Sequence, residues 1–321
     1  MTDIQTTETP IAPAGQTAKR TRGEFYRRQS RFPLMLIAPA VIIILVVVAY
    51  PMIYSLYLSF TPYNLLRPEK TLVFSVDTMF RNYGKLLGDR IFWRSVGNTV
   101  IFLAVTVNLS YFIALGLSQL MALVSRGQGI MRTLLMIPMM FAPVLVGFQF
   151  AWFFNATVGL VNNALIALHV IQSPKPWLID VPSGMISIMI ATIWMNIPML
   201  TIILLAGTLS LPREVFEAAE MDGAHAWQKF RHITMPLLRP FTLIALTVLS
   251  LDIARAYDIV RIMTGGGPAH RTEMIWTYAG RLATRDSQYG LASAMSMVGV
   301  VLGVVFTLYL FRQLIKSRVV Y

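Results

Sequence analysis

The sequence predicts an all-α, polytopic membrane protein with six transmembrane helices. Of its 321 residues, 56% are hydrophobic and only 13% are charged, whereas soluble domains carry about a quarter charged residues. A helix crosses a hydrocarbon core of roughly 30 Å with about 20 apolar residues. Segments that meet or approach this length lie at about 34–60, 95–124, 132–156, 183–211, 237–263 and 289–311.

The first span follows a segment that we expect to be a cytoplasmic tail. Residues 1–31 start with a Thr-, Pro- and Ala-rich stretch typical of disorder and end in a basic cluster. The apolar run that follows continues to about Phe60, which is too long for a cleaved signal peptide. We therefore predict a disordered, basic tail at 1–31, the first transmembrane helix and a periplasmic loop at 32–94, and a membrane core at 95–315.

Basic residues set the expected orientation, with both termini in the cytoplasm. The segments that this orientation places inside hold fifteen Lys and Arg residues, against ten in the outer loops, as the positive-inside rule requires. The net charge of +12 is then explained by anionic lipid headgroups, and we expect no nucleic-acid partner.

The outer loops are expected at 61–94, 157–182 and 264–288. The last of these opens with Thr264-Gly-Gly-Gly-Pro268, which predicts a sharp end to the fifth helix because Gly and Pro continue a helix poorly. Trp152 and Trp177 are expected to anchor the chain at the membrane interface.

Several kinds of chemistry are absent from the sequence. The chain has no cysteine, and its four histidines are scattered, so we predict neither a metal site nor catalytic residues. It has no G-x-x-x-x-G-K-[ST] phosphate loop, so ATP hydrolysis would need another chain. A membrane enzyme remains a remote alternative, since Asp252 and Asp258 form the only paired carboxylates and both have arginine neighbours.

A polar segment, 212–236, interrupts the apolar spans. Pro212 suits the first turn of a helix, on which Val215, Ala218, Ala219 and Asp222 fall on one narrow face. Two alanines on that face let another protein approach the backbone closely. The alternative is an amphipathic helix lying at the lipid headgroups, but an anionic membrane surface would repel its acidic first half.

This segment resembles the cytoplasmic loop of ABC importer permeases that depend on a binding protein. Residues 217–224 read E-A-A-E-M-D-G-A, and Ile233-Thr-Met-Pro236 begins ten residues after Gly223. The pattern D-G-A-x-x-W-Q-x-F-x-x-I-T-x-P, and the run Tyr257–Val260 before Thr264–Pro268, are similar to the carbohydrate branch, in particular to the larger permease of a sugar-permease pair. The resemblance covers roughly 95–315.

The resemblance implies a type I ABC importer permease of the bacterial inner membrane. By that analogy 212–236 is a coupling loop for the ATPase, with its main roles carried by Glu217, Ala218, Ala219, Asp222, Gly223 and Phe230. The implied partners are a second, non-identical permease, two ATPase subunits that bind ATP and Mg²⁺, and a periplasmic solute-binding protein; no cofactor is expected in this chain. The cargo is expected to be a carbohydrate or sugar derivative, with a non-sugar solute as the alternative.

Polar residues within the spans are candidates for a substrate pathway. Asp252, Arg255, Asp258 and Arg261 recur at i+3 steps in span five, where four charges facing lipid would be costly. They form either an internally neutralised ladder or, for Asp252 and Arg255 first of all, the lining of a cavity that binds sugar hydroxyls. In span four, Trp194 and Asn196 lie beside Pro198, which frees a backbone carbonyl. Which face of span five points inward, and which sugar is carried, stay open.

Overall fold

The computed structural model describes residues 35–68, 79–124 and 126–318, and all regular structure within these ranges is helical. The predicted tail at 1–31 and residues 69–78 of the predicted periplasmic loop lie outside the described residues. Within them, the helices long and apolar enough to cross a membrane are four: α1 (Met35–Ser59), α3 (Arg90–Leu123), α7 (Ser183–Leu209) and α13 (Tyr289–Arg318).

The remaining spans are bent pairs of helices. The first pair, α4 (Gln128–Met136, extended by a tight turn at Ile137–Met140) and α5 (Pro143–Phe153), bends by 91°. The second, α9 (Ala226–Leu237) and α10 (Arg239–Ala254), bends by 64°. If each pair is one span, the described residues hold the six spans that the sequence predicts. The shorter helices are α2 (Arg81–Leu87), α6 (Leu160–Ala167), α8 (Arg213–Met221), α11 (Asp258–Met263) and α12 (Ile275–Thr284).

The chain divides into two compact units, the first ending at Tyr57. The described part of the first unit is α1 up to Tyr57. It contains one widened turn at Leu45–Ala49, where the Tyr50 amide donates to the Leu45 carbonyl. The turn comes directly before Pro51, which has no N–H to donate to the preceding turn. The local geometry is the one expected where a proline interrupts the regular hydrogen-bond ladder.

The second unit begins at Leu58 and is built around α3 and α7, which pack along each other. Its core contains the fully or almost fully buried side chains of Phe102, Ile188, Leu200, Leu204 and Leu249. Residues 58–68 and 79–94 also belong to this unit. Asn82 of α2, for example, donates to the carbonyls of Ser59 and Thr61 at 2.9 and 2.8 Å.

The predicted fifth span, 237–263, is not one helix. α10 ends at Ala254, Arg255–Tyr257 are not helical, and α11 starts at Asp258. The expectation that four charges continue at i+3 steps along a single helix is therefore wrong. Asp252 and Arg255 form an ion pair across the end of α10, with 3.5 Å between Oδ1 and an arginine terminal nitrogen. Asp258 and Arg261 lie beyond the break.

Small residues allow α5 to approach α11 closely beyond this break, and α7 to approach the start of α10. A Cβ on Gly147 of α5 would lie 3.0 Å from Cβ of Ile262 on α11. A Cβ on Gly207 of α7 would lie 2.6 Å from Cγ of Phe241 and 2.9 Å from Cδ2 of Leu238. Close helix approach through small residues is a common means of packing in membranes.

We predict that Gly207→Ala destabilises the protein, because the added methyl group has no space against Phe241 and Leu238. Overpacking of a well-filled core costs about 1–3 kcal/mol. The thermal unfolding midpoint of the detergent-purified chain measures this effect.

The matched control is Gly116→Ala on α3, where an added Cβ would meet nothing within 4 Å. This control should leave the midpoint unchanged or raise it slightly, because alanine is favoured over glycine in a helix. Equal midpoints for the two variants would contradict the close approach of α7 and α10.

Candidate functional site

The polar segment between α7 and α10 contains two helices, α8 and α9, joined by a non-helical turn at 222–225; this helix–turn–helix segment is called here the corner. α8 starts after Pro212, which is its N-cap, and ends at Met221. The Gly223 amide donates to the Glu220 carbonyl and the Ala224 amide to the Ala219 carbonyl, at 3.0 and 2.9 Å. With Gly223 at a φ of 75°, this is a Schellman motif, in which glycine adopts the left-handed conformation at low cost.

The second arm of the corner, α9, is tied to the first. His225 and Gln228 form a reciprocal capping box at its start, and Lys229 Nζ lies 2.6 Å from Glu220 Oε1. A widened turn at Phe230–Thr234 comes just before Pro236, as a proline without an N–H favours. The corner therefore has defined hydrogen bonds on both arms.

The corner exposes most of the residues that the resemblance singled out. Glu217, Ala218, Asp222 and Gly223 are exposed and Ala219 is partly buried. Met221, between them, is 89% exposed. Phe230 differs, because it stacks on Trp227 at 5.6 Å and packs against the main core of the second unit. The corner thus joins an accessible face to an anchored aromatic residue.

A cavity of about 240 Å³ lies where the two bent or broken spans meet α7. Its lining includes Pro143 from the start of α5, Thr192 and Asn196 from α7, and Asp252, Arg255 and Asp258 around the end of α10. Four of the five predicted pathway residues are therefore brought together. The fifth, Trp194, lies outside the lining and packs against Phe150 and Phe141, with ring centroids 5.4 and 6.4 Å away.

The end of α10 has partners for its last four carbonyl groups, which a helix end leaves unpaired. The Arg255 side chain donates from Nε to the Leu251 carbonyl at 3.2 Å. The amides of Arg255 and Ala256 donate to the carbonyls of Asp252 and Ile253. The indole Nε1 of Trp276, on α12, donates to the Ala254 carbonyl at 2.7 Å. The helix can therefore end here, in an apolar environment, without leaving these carbonyl groups unpaired.

The chemistry of the cavity suits a polyol. A sugar hydroxyl both donates and accepts hydrogen bonds. The carboxylates of Asp252 and Asp258 can accept from it, and the guanidinium group of Arg255 can donate to its oxygen. The side chains of Asp252 and Arg255 are 50% and 74% exposed, so they remain accessible in spite of their ion pair. Asn196 is oriented by a hydrogen bond from its amide nitrogen to the Thr192 carbonyl, at 2.9 Å.

Sequence reasoning missed a second cavity, of about 430 Å³, which shares Arg255 and Tyr257 with the first. Its lining includes Trp276 of α12 and Tyr289 at the start of α13. Residues 264–288 carry no long apolar run, so the sequence predicts a loop there. The apolar face of α12, only ten residues long, was the signal that would have identified a helix there.

The Thr264–Pro268 segment ends α11 as predicted and also surrounds a buried carboxylate. α11 ends at Met263. The side chain of Glu273 is 2% exposed, and its Oε2 lies 3.0 Å from His270 Nδ1 and 3.5 Å from an Arg281 terminal nitrogen. A Cβ on Gly266, whose φ is 84°, would lie 2.7 Å from Glu273 Oε1. The glycine run is therefore needed for packing as well as for ending the helix.

This loop is fastened to α3 by hydrogen bonds. Asn98 donates to the carbonyls of Arg271 and Glu273, both at 2.9 Å. The Tyr278 hydroxyl of α12 donates to the carboxylate of Asp89, the N-cap of α3. Burial, together with this bond to an anion, raises the pKa of the Tyr278 hydroxyl above its ordinary value. The hydroxyl therefore stays protonated and remains a donor.

Within the described residues, no three His, Asp or Glu side chains converge as metal ligands would. What the structure does contain is a bundle of membrane-spanning helices, a polar cavity at broken spans and an exposed polar corner. Together these features define a multi-pass membrane transport subunit, in which discontinuous helices provide the polar lining.

The chain belongs to the family described as binding-protein-dependent transport system inner membrane component, whose model matches residues 110–321. It is 32% identical over 281 residues to the trehalose/maltose transport system permease protein MalF of Thermococcus litoralis, covering 88% of this chain and 92% of that protein. It is also 32% identical over 265 residues to the sulfoquinovosyl glycerol transport system permease protein SmoG of Agrobacterium fabrum, covering 83% of this chain and 84% of the relative.

The fold is also found among solved structures. A chain in the crystal structure of a bacterial alginate ABC transporter, in complex with an alginate pentasaccharide-bound periplasmic protein, superposes with a TM-score of 0.75. The two sequences are 22% identical, and the match covers 89% of this chain and 94% of the other. The fold and the family identify the chain as a multi-pass inner-membrane transport component and not an enzyme.

We predict that Gly266→Ala destabilises the loop by more than Gly265→Ala does. Both glycines have positive φ, at 84° and 61°, so both variants incur the left-handed cost of about 1–2 kcal/mol. Only at Gly266 does the added Cβ collide with Glu273, whereas at Gly265 it would lie 3.9 Å from the Arg261 carbonyl oxygen, an ordinary contact distance.

Limited proteolysis between residues 264 and 274, followed by mass spectrometry, measures the difference. Gly266→Ala should be cleaved faster than Gly265→Ala, and the original chain should be cleaved most slowly. Equal cleavage of the two variants would show that contact with Glu273 does not hold the loop.

Proposed function

We propose that this chain is a permease subunit of an ATP-driven importer that carries a carbohydrate or sugar derivative into the cytoplasm. The observation that carries the proposal is the cavity at the end of α10, in which Asp252, Arg255, Asp258 and Asn196 converge. Helices broken within a membrane and lined by polar groups are typical of transport pathways.

The position of the break supports a site within the bilayer. α10 has 16 residues and is therefore about 24 Å long, shorter than a hydrocarbon core of roughly 30 Å. If α10 starts at the cytoplasmic face, its carboxyl end lies in the outer half of the membrane. Solute delivered from outside would reach the cavity there.

The carbohydrate assignment is supported by both chemistry and relatives. Carboxylates and a guanidinium group suit a ligand with many hydroxyls. The similar permeases from Thermococcus litoralis and Agrobacterium fabrum are named for trehalose/maltose and for sulfoquinovosyl glycerol. Each of these cargoes is a sugar or a glycoside.

The corner between α8 and α9 is proposed as the docking site for an ATPase subunit. Its accessible Ala218 and Gly223, and its acidic Glu217 and Asp222, fit a cleft that approaches the backbone closely and presents positive charge. With both termini in the cytoplasm, this corner lies on the side where ATP is available. A second, non-identical permease, two ATPase subunits that bind ATP and Mg²⁺, and a solute-binding protein complete the proposed assembly.

The first experiment is an uptake assay in proteoliposomes that contain the complete assembly. The radiolabelled probes are glucose, trehalose, maltose, maltotriose and sulfoquinovosyl glycerol, each with its binding protein and internal ATP. Uptake of at least one probe is expected. Uptake of none, by an assembly that hydrolyses ATP, would contradict the carbohydrate assignment.

For the probe that is carried, Asp252→Asn and Arg255→Ala should each lower uptake by about tenfold or more, because hydrogen bonds to charged groups contribute about 1.5–3 kcal/mol. Basal ATP hydrolysis should persist. The matched controls are Asp286→Asn and Arg285→Ala, at exposed positions after α12, and these should transport normally. Unchanged uptake by both cavity variants would leave the ion pair a structural role only.

For the corner, Gly223→Pro should abolish uptake and the co-purification of the ATPase. Proline cannot adopt a φ of 75° and has no N–H for the Glu220 carbonyl. Gly223→Ala retains that N–H and should have an intermediate effect.

Glu217→Lys should also abolish co-purification of the ATPase, by reversing charge on the accessible face. Asp286→Lys, a charge reversal at an exposed residue far along the chain, is its control. Normal co-purification and uptake with both Gly223→Pro and Glu217→Lys would remove the docking assignment.

A further inference from the structure

We propose that the cavity lined by Tyr257, Trp276 and Tyr289, called here the aromatic compartment, binds a second sugar ring of the transported molecule. The carried carbohydrate would then have at least two rings, or one ring and a bulky aglycone. This inference rests on the proposed function, because it assigns a further part of the same pathway.

The aromatic compartment combines ring faces with a surface of small residues. Tyr257, Trp276 and Tyr289 supply the faces, against which the apolar C–H side of a sugar ring can pack. The rest of the lining includes Ala279, Gly280, Ala283, Ala292, Ser293 and Ser296. These short side chains leave space for a sugar ring between α12 and the start of α13, and the serines add hydroxyl groups.

The aromatic compartment is joined to the cavity at the break by shared residues. Arg255 and Tyr257 line both, so a molecule bound by Asp252 and Arg255 has the aromatic rings directly beside it. The first cavity, at about 240 Å³, is smaller than the roughly 300–1,000 Å³ typical of small-molecule sites. The aromatic compartment, at about 430 Å³, falls within that range.

The aromatic rings are held in place before any ligand arrives. Trp276 is fixed by the hydrogen bond from its indole to the Ala254 carbonyl. Tyr257 lies against Gly280, where an added Cβ would be 2.7 Å from its Cε2 atom. Tyr289 makes an edge contact with Tyr63 at 6.1 Å. Because these rings lose little freedom on binding, their contacts contribute more fully to affinity.

Lining chemistry separates the aromatic compartment from a larger groove of about 570 Å³ between α3 and α13. Residues such as Val100, Leu103, Leu302 and Phe306 line that groove, and none of its lining residues is charged. It suits apolar groups. Trp276 borders both, but only the aromatic compartment has a charged residue, Arg255, at its boundary, and this side chain can donate hydrogen bonds to sugar hydroxyls.

The test compares the panel probe that is carried with its single-ring component, in the same proteoliposomes. Tyr289→Leu should raise the KM for the carried probe by about tenfold, equivalent to about 1.4 kcal/mol, and should leave Vmax within about twofold of that of the original protein. Tyr289→Phe retains the ring face and should transport as the original protein does. The single-ring component should either not be carried or be carried with the same KM by all three proteins.

Trp276 provides a second pair of variants. Trp276→Phe loses the hydrogen bond to Ala254 but retains an aromatic face, whereas Trp276→Leu loses both. A higher KM for Trp276→Leu than for Trp276→Phe supports binding of a ring. Equal KM values for the two, with an unchanged KM for Tyr289→Leu, would assign Trp276 only to the support of the helix break and overturn the proposal.

The outcomes separate this inference from the proposed function. If uptake is lost with Asp252→Asn and Arg255→Ala but the two-ring and single-ring probes have equal KM values in every aromatic variant, the importer stands and the second subsite is overturned. If glucose is the best probe of the panel, the subsite is overturned as well. If no probe is carried, the carbohydrate function itself is contradicted.

Discussion

A helix that stops inside a membrane must find partners for its last carbonyl groups, since lipid offers none. α10 meets this requirement within the protein. Arg255 satisfies two of the four carbonyls, through its amide and Nε, Ala256 satisfies the third, and Trp276 satisfies that of Ala254. These bonds permit a polar gap in the fifth span, and both the first cavity and the aromatic compartment depend on that gap.

The position of Trp276 depends in turn on the segment before α12. The Glu273 carboxylate is enclosed by Gly266, His270 and Arg281, and Asn98 of α3 binds the carbonyl of Glu273. A buried carboxylate is costly unless it is paired, so this segment has one strongly favoured arrangement. The glycine-rich loop thus helps to position Trp276, an aromatic residue of the proposed pathway, as well as ending a helix.

Sequence predicted the features that depend on local rules. Length and hydropathy predicted six spans, and the Thr264–Pro268 run predicted the end of the helix before it, which is α11. The break at Arg255–Tyr257 was not predicted, because it contains neither glycine nor proline and its charges repeat at i+3 as they would on a continuous helix. Its cause is partly tertiary, since the partner of the Ala254 carbonyl is Trp276, 22 residues along the chain. The position of Trp194 could not be predicted for the same reason. It packs against the rings of Phe150 and Phe141, away from the cavity, and these contacts are tertiary.

The two ends of α10 differ in how readily they can change shape. This difference bears on how a movement of the corner would be transmitted to the cavity. At its start, Leu238 is fully buried and lies with Phe241 against Gly207, so the 64° bend from α9 is held by tight packing. At its end, Arg255–Tyr257 are non-helical and border two cavities. In the proposed transport cycle, a force on the corner would therefore move α9 and α10 together. The change in backbone angles would be taken up at the break, as hinges are at the ends of elements. Because Asp252 and Arg255 lie at that hinge, docking at the corner and the geometry of the binding cavity would be coupled through a single helix.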